Sequence, residues 1–290
     1  TIRAKMVRKL YRPSTRSHKG QNGEVLVIGG SARYHGAPLM AARMAAKLVD
    51  FVYFYSTPEN KQLVRKMKNG LAEFIAVPRQ LVYKYAVHSD VILIGPGLGL
   101  DQNTRRFVNS MLKKFPHKKF VLDAGALRLV NTKLLPLRLR GRERGLRAVH
   151  NSSQPPLTLR GGDGVRCILT PHRQEFRAAF AVAPTPANVQ AMVKEYQCVI
   201  VLKGPEDIIC SPRGCLRNKT GNAGMTKGGT GDVLSGLIAG LAAKNDLFLA
   251  VGVGAYINGL AGDQLKKRMS YYFSASDLIA AVPKVLKKLG

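Results

Sequence analysis

The chain has 290 residues, 46% of them hydrophobic, and carries 46 Lys and Arg against 17 Asp and Glu, a formal charge of +29. That apolar fraction excludes a disordered chain despite the charge, and 29 Gly with 15 Pro excludes collagen-like or low-complexity sequence. Four Cys exclude a disulfide scaffold, and the length suits one large α/β domain or two small ones.

Residues 1–20 hold seven Lys/Arg and no acid, which reads as a basic, peripheral tail without the apolar run of a secretory signal. A short buried strand at 25–28 ends in Gly29-Gly30-Ser31. An Ala- and Met-rich helix is predicted over 37–49, with Pro38 suited to its first turn. Strand 51–55, a polar helix over 59–68 and a strand at 71–77 follow. Strand 90–94 runs into Gly95-Pro96-Gly97-Leu98-Gly99, then come a helix over 104–115 and a strand at 120–122 ending at Asp123. Strand 166–169 ends in Thr170-Pro171-His172, and helices are predicted over 174–180 and 187–195. Strand 199–202 ends in Lys203-Gly204, and 207–210 with 215–217 flank a Pro-Arg-Gly turn as a hairpin. Three helices close the chain, over 232–243, 248–267 and 276–289. Its longest uncharged stretch, residues 247–262, holds four Gly and one Asn in 16 residues and reads as a buried helix, too short for a membrane span.

Continuous apolar strands alternating with helices predict an α/β fold, one domain over 1–290 with a mainly parallel sheet covered on both faces. Ligands in such sheets gather at the carboxyl ends of the strands. The rhythm breaks at about 129–164, an Arg-rich stretch full of turn formers that reads as a long surface excursion. Residues 128–168 and the tail together hold about half of the excess charge. No nucleic-acid motif accompanies the charge, Trp is absent, and aromatics are 7%, so a general anion-attracting surface is favoured over specific nucleic-acid binding.

The densest motif is Asn222-Ala223-Gly224-Met225-Thr226-Lys227-Gly228-Gly229-Thr230-Gly231-Asp232. Closely spaced glycines let backbone N–H groups converge on an anion, and the following helix points its positive end at the same place. Asp232 then sits where a carboxylate can take a proton from a hydroxyl facing a phosphate; its bland alternative is a helix cap. The loop lacks the Gly-Lys-Ser/Thr of a Walker motif, and 95–99 lacks the dinucleotide fingerprint, so that second loop is equally a turn or a ligand loop. Thr170-Pro171-His172, with Glu175 three residues on, leaves His172 open between structural and functional roles. Lys203-Gly204-Pro205-Glu206-Asp207 is equally a polar turn or a nucleotide bracket. The histidines show no metal-ligand spacing and the cysteines no CxxC pair. Cys210 and Cys215 face each other across the hairpin and read as two buried thiols, a disulfide being unusual in a cytosol outside hyperthermophiles.

Taken together, in order and over most of the chain, these motifs resemble the ADP/ATP-dependent (S)-NAD(P)H-hydrate dehydratase family, which has a ribokinase-like, carbohydrate-kinase-related αβα fold. The resemblance rests on His18-Lys19-Gly20 with 25–31, then 34–38, 94–99, 121–123, 169–172, 202–207, 222–236 and Asn258-Gly259-Leu260-Ala261-Gly262. It implies a three-layer domain with one mixed sheet edge, and a cytoplasmic repair lyase, commonly tetrameric. ADP or ATP, with Mg²⁺, phosphorylates the ring hydroxyl of hydrated NADH or NADPH, and phosphate then leaves. By the same resemblance Asp232 is the base, and Gly228, Gly229, Thr230 and Gly231 hold the phosphoryl group. Lys203, Gly204, Pro205, Glu206, Asp207 and Gly231 line the nucleotide, while Ala37, Gly97 and His172 join Asp232 at the hydrated dinucleotide. Asp123, Gly99 and Asn222 are secondary candidates, and the metal is expected through the phosphates. The family's usual second acid in Asp-Ala-Asp-Ala-Leu is Gly125 here, which puts substrate or metal positioning in question. The family's epimerase is expected on a separate chain, and no membrane contact is expected. Two alternatives remain: a small-molecule kinase of the same fold, and a non-catalytic nucleotide or nucleic-acid binder.

Overall fold

Alternate side chains of a strand point to opposite faces, so a strand apolar at every position needs a covering layer on both sides. Residues Glu24–Ile28 (β1) meet that condition: Val25 and Val27 enter one core, Leu26 and Ile28 the other. The computed structural model describes residues 2, 4–66, 73–135 and 165–290. After β1 come α1 (Gly36–Ala45), β2 (Phe51–Tyr55), α2 (Pro58–Lys66), β3 (Ile75–Ala76), α3 (Val82–His88) and β4 (Val91–Ile94). Next are α4 (Gln102–Lys114), β5 (Lys119–Leu122), α5 (Gly125–Leu129), β6 (Cys167–Leu169), α6 (Arg173–Phe180) and α7 (Pro186–Tyr196). The chain continues through β7 (Val199–Leu202), β8 (Asp207–Ser211), β9 (Gly214–Asn218), α8 (Thr230–Lys244), α9 (Leu247–Met269) and α10 (Ala275–Leu289).

Among the described residues, nine strands form one sheet in the order β3-β2-β1-β4-β5-β6-β7-β8-β9. Every pairing from β3 to β7 is parallel, while β7–β8 and β8–β9 are antiparallel, which gives the mixed edge that the resemblance implied. The chain winds from β1 out to β3, then returns to lay β4 on the other side of β1. That reversal opens a crevice at the carboxyl ends of β1 and β4.

Helices α1, α8, α9 and α10 supply one core layer, and α3 to α7 the other. Helix α8 is buried over Val233–Ala243 because it lies between the sheet and other helices. Gly236 permits its approach to α1, since a Cβ there would fall 2.3 Å from the Ala41 carbonyl oxygen. Asp101 caps α4 by accepting the Asn103 and Thr104 N–H groups, and Ser274 and Asp277 form a capping box on α10. Among the described residues, no helix is long and apolar enough to cross a membrane.

Several expectations need correction. The basic tail is docked in part: a 3-10 turn, Ala4–Lys9, buries Val7, and Ile2 is buried in the same core. The helix expected to 49 stops at Ala45, and the strand expected over 71–77 is reduced to Ile75–Ala76 among the described residues. Helices α3 and α5 were not expected. Cys210 and Cys215 form a disulfide across the hairpin rather than two thiols, while Cys167 and Cys198 are free and buried. Their pairing follows from register, because the two residues stand directly opposite in β8 and β9. Of the excursion placed at 129–164, residues 136–164 lie outside the described residues, and Leu129 and Leu135 are buried in the second core.

Candidate active site

The carboxyl ends of β5, β6 and β7 bring Asp123, Thr170 and Lys203 together. Lys203 Nζ lies 3.0 Å from Asp123 Oδ1, and the Thr170 hydroxyl donates to the same oxygen at 2.7 Å. Glu175, in the first turn of α6, places Oε2 4.0 Å from Lys203 Nζ. Gly231 presents its small face to the same ammonium, a Cβ there falling 3.7 Å from Nζ. One lysine thus gathers the charges of three elements.

Asp232 faces this group from the first turn of α8. Burial first, then the nearby Asp123 and Glu175 charges, push its carboxyl up to about 7, against the pull of Lys203. Burial alone lowers the Lys203 ammonium, but Asp123, Glu175 and Asp232 more than offset it, and its affinity for the proton is raised. The outcome is a fixed cation beside a carboxylate that exchanges its proton near neutrality.

The loop before α8 turns at Gly229, whose φ of +91° suits glycine. The N–H groups of Gly231 and Asp232 lie in the first turn, where the helix offers no carbonyl partner. Gly228 faces open space. The Thr230 hydroxyl is spent on the Met225 and Lys227 carbonyls at 2.6 and 2.9 Å. It staples the loop. Lys227 donates to the carbonyls of Tyr271 and Phe273. Asn222 also holds backbone: its amide donates to Asp263 at 3.1 Å and its oxygen accepts the Gly224 N–H at 3.0 Å.

Ala37 and Gly97 are adjacent, as a shared contact requires. Gly97 has φ +67°, and a Cβ there would lie 2.8 Å from Tyr34 Cβ and 3.2 Å from Ala37 Cβ. A Cβ at Gly229 would lie 3.7 Å from Met40 Cγ, so the glycine loop borders α1, whose first turn holds Ala37. Gly99 packs toward Asp101 and Ser31. His172 caps α6: its Nδ1 accepts the Gln174 and Glu175 N–H groups at 3.1 and 3.2 Å. That leaves Nε2 to carry the proton, 3.4 Å from Glu175 Oε1.

Beyond Lys203, the Gly204 N–H donates to Asp207 Oδ1 at 3.1 Å, and Asn218 donates to Oδ2 at 3.0 Å. Burial raises the Asp207 carboxyl despite these donors. Pro205 occupies the turn between β7 and β8, and Glu206 reaches Arg217 at 3.1 Å. Glu206 Oε1 and Asn258 Oδ1 are buried without hydrogen-bond partners among the described residues. Such orphaned acceptors suit ligand donors. Glu175, Thr170 and Asn258 carry no role in the sequence reading; for Glu175, three residues after His172, the capping-box spacing was the available signal.

Gly125 packs against Leu98, where a Cβ would come 2.8 Å from the carbonyl oxygen and 3.0 Å from Cβ. An acid cannot be added there without moving that loop. Gly125→Asp is therefore expected to lower the melting temperature by roughly 2–8 °C and to leave turnover no higher. Unchanged melting with raised turnover would show that the position has room for an acid.

A glycine loop opening a buried helix, an acid in its first turn and a mostly parallel sheet with one antiparallel edge define a ribokinase-like protein. A ribokinase-like superfamily protein from Enterococcus faecalis shares the fold with a TM-score of 0.81 at 24% identity, covering 100% of this chain and 95% of its own. The chain belongs to the NAD(P)H-hydrate dehydratase family, whose model matches residues 25–143 and 149–284. The ADP-dependent (S)-NAD(P)H-hydrate dehydratase of Cenarchaeum symbiosum is 32% identical over 97% of this chain and 94% of that protein. The bifunctional NAD(P)H-hydrate repair enzyme Nnr of Methanocaldococcus jannaschii is 36% identical over 97% of this chain. The chain spans 51% of that relative's length. The ADP/ATP-dependent NAD(P)H-hydrate dehydratase of Bacillus subtilis, co-crystallised with ATP/Mg²⁺, has a TM-score of 0.75 at 26% identity, covering 99% of this chain and 98% of its own.

Proposed function

We propose that this chain dehydrates the S epimer of hydrated NADH or NADPH, with ADP as phosphoryl donor. The observation that carries the reading is Asp232, poised near neutrality beside Lys203 and the first-turn N–H of Gly231. The ring hydroxyl oxygen bonds to the terminal phosphorus of ADP, its proton passes to Asp232, and AMP leaves. Developing negative charge meets the glycine-loop N–H groups and Lys203. The carbon–oxygen bond to phosphate then breaks, the neighbouring ring carbon gives up a proton, and the reduced nicotinamide returns. Phosphate departs far more readily than hydroxide, which is the purpose of the first step.

In this reading Lys203, Gly204, Pro205, Glu206 and Asp207 line the nucleotide, with Glu206 Oε1 accepting from a ribose hydroxyl. Ala37, Gly97 and the exposed Nε2 side of His172 contact the dinucleotide. Asn222 holds the loop in shape, and Asp123 positions Lys203. The donor set fits Mg²⁺ held chiefly by phosphates: among the described residues no group of three or more His, Cys, Asp or Glu forms a protein cage, while Glu175 and Asp232 offer carboxylate oxygens. Bound there, the ion would neutralise phosphate charge. One domain over residues 1–290, a tetramer, a cytoplasmic setting and an epimerase that supplies the S epimer belong to the same proposal.

The test is the return of reduced-nicotinamide absorbance from hydrated NADH, with ADP and ATP in parallel and Mg²⁺ present. Signal with ADP is expected. Signal with ATP alone would move the donor, and a stable phosphorylated product without reduced nicotinamide would replace the lyase with a kinase.

A further inference from the structure

A cavity of about 480 Å³ opens beside the β1–β4 switch point, within the layer of α3 and α4. Helix α8 and Asp232 lie in the opposite layer. Tyr55, Tyr83 and Phe107 form its walls, with ring centres 5.5 Å apart for Tyr55–Phe107 and 6.4 Å for Tyr83–Phe107. Two cations complete the lining, Lys61 and Arg79. Lys61 Nζ stands 5.8 Å from the Tyr55 ring centre. Burial raises the Tyr55 hydroxyl, and the Arg79 charge acts against that rise, which places Arg79 at the same wall. Neither cation forms an ion pair among the described residues. Ser56 and Thr104 add hydroxyls to the lining.

Aromatic walls accept the face of a planar base, at about 1–3 kcal/mol for each stacked base. Cations without an ion-pair partner at the same cavity call for a phosphate. An aliphatic ligand would use the walls and leave both cations without a partner. The volume falls within the roughly 300–1,000 Å³ of small-molecule sites, and the crevice at a switch point is where open α/β sheets collect ligands. We propose that this cavity is a second nucleotide pocket, taking an adenylate group with its base stacked against the aromatic wall and its phosphate on Lys61 and Arg79. Two sources share that chemistry. One is free adenylate. The other is the adenylate end of the hydrated dinucleotide, reached across the loop at 95–99, whose Leu98 lines the cavity next to Gly97. The second source rests on the repair reading above; the pocket itself does not.

The test is calorimetric titration of the full chain with AMP, and separately with NADPH as a non-reacting dinucleotide. The charge-reversed variant K61E/R79E is compared with R106E/K113E, which makes the same change in charge elsewhere. If free adenylate is the ligand, K61E/R79E binds one equivalent of AMP fewer than wild type. If the dinucleotide end is the ligand, AMP stoichiometry holds and NADPH affinity falls at least about tenfold. Either loss, absent from R106E/K113E, supports the pocket. No change in K61E/R79E, or an equal change in both variants, overturns it. Turnover plays no part in these readouts, so failure of the repair assay leaves the binding result standing.

Discussion

Asp232→Asn is expected to lower kcat by about 10²–10⁴-fold while ADP affinity stays within about threefold. The amide keeps the shape of the carboxylate but cannot take a proton from the ring hydroxyl. In the wild type, kcat/KM should climb through about pH 7 as the free enzyme's Asp232 ionises, and the variant should lose that limb. Wild-type turnover in the variant would remove Asp232 from the mechanism. The same substitution has a signed effect on stability. The folded carboxyl holds its proton up to about 7, whereas the unfolded one releases it near the ordinary 3.8. Between those values the folded chain binds more protons, so the wild type loses stability as pH rises through that window. Asp232→Asn avoids the loss. Its melting temperature should match the wild type near pH 4 and exceed it above pH 7. A wild-type advantage at pH 8 would contradict the burial argument.

Lys203→Met is expected to cost about 3–5 kcal/mol of stability, because it strands a buried carboxylate. Asp123 is 1% exposed, and Lys203 is its only ion-pair partner among the described residues. The loss should lower the melting temperature by roughly 10 °C. The double variant Lys203→Met/Asp123→Asn should recover part of it, since removing both charges leaves nothing unpaired. The activity limb assigned to Asp232 should also move to higher pH, because Lys203 is the cation that holds that carboxyl down. Denaturant melts of the two variants check the first claim, and a pH series on residual turnover checks the second. A single variant as stable as wild type would mean that the cluster contributes no net interaction.

The parallel part of the sheet was legible because most of its strands are near-continuous apolar runs, several of them ending in a residue type that stands out. Val199–Leu202 followed by Lys203 is the clearest case. Helices α3 and α5 escaped because they span only seven and five residues and lack a side-chain cap. The docking of Ile2 and Val7 escaped because a charged segment hides two apolar residues whose burial depends on α9 and α10. At the site, the glycine loop and Asp232 are contiguous in sequence and so could be read directly. Glu175 could not, because its meeting with Lys203 depends on β7 and the first turn of α6 lying side by side. The Thr230 hydroxyl bond to the Met225 carbonyl was not legible either, because a loop motif names the residue but not which way the side chain turns.

The two margins of the nine-stranded sheet are closed by different means. At one margin β3 is two residues long, too short to template another chain. At the other, Cys210–Cys215 ties β9 to β8, the Ile2 N–H donates to the Arg217 carbonyl, and Arg213 and Arg217 are charged. An incoming strand would meet a covered backbone and like charge from a chain of +29. Among the described residues both margins thus disfavour edge-to-edge addition, and the hairpin that begins at Asp207 supplies one of the two barriers to fibrillar growth.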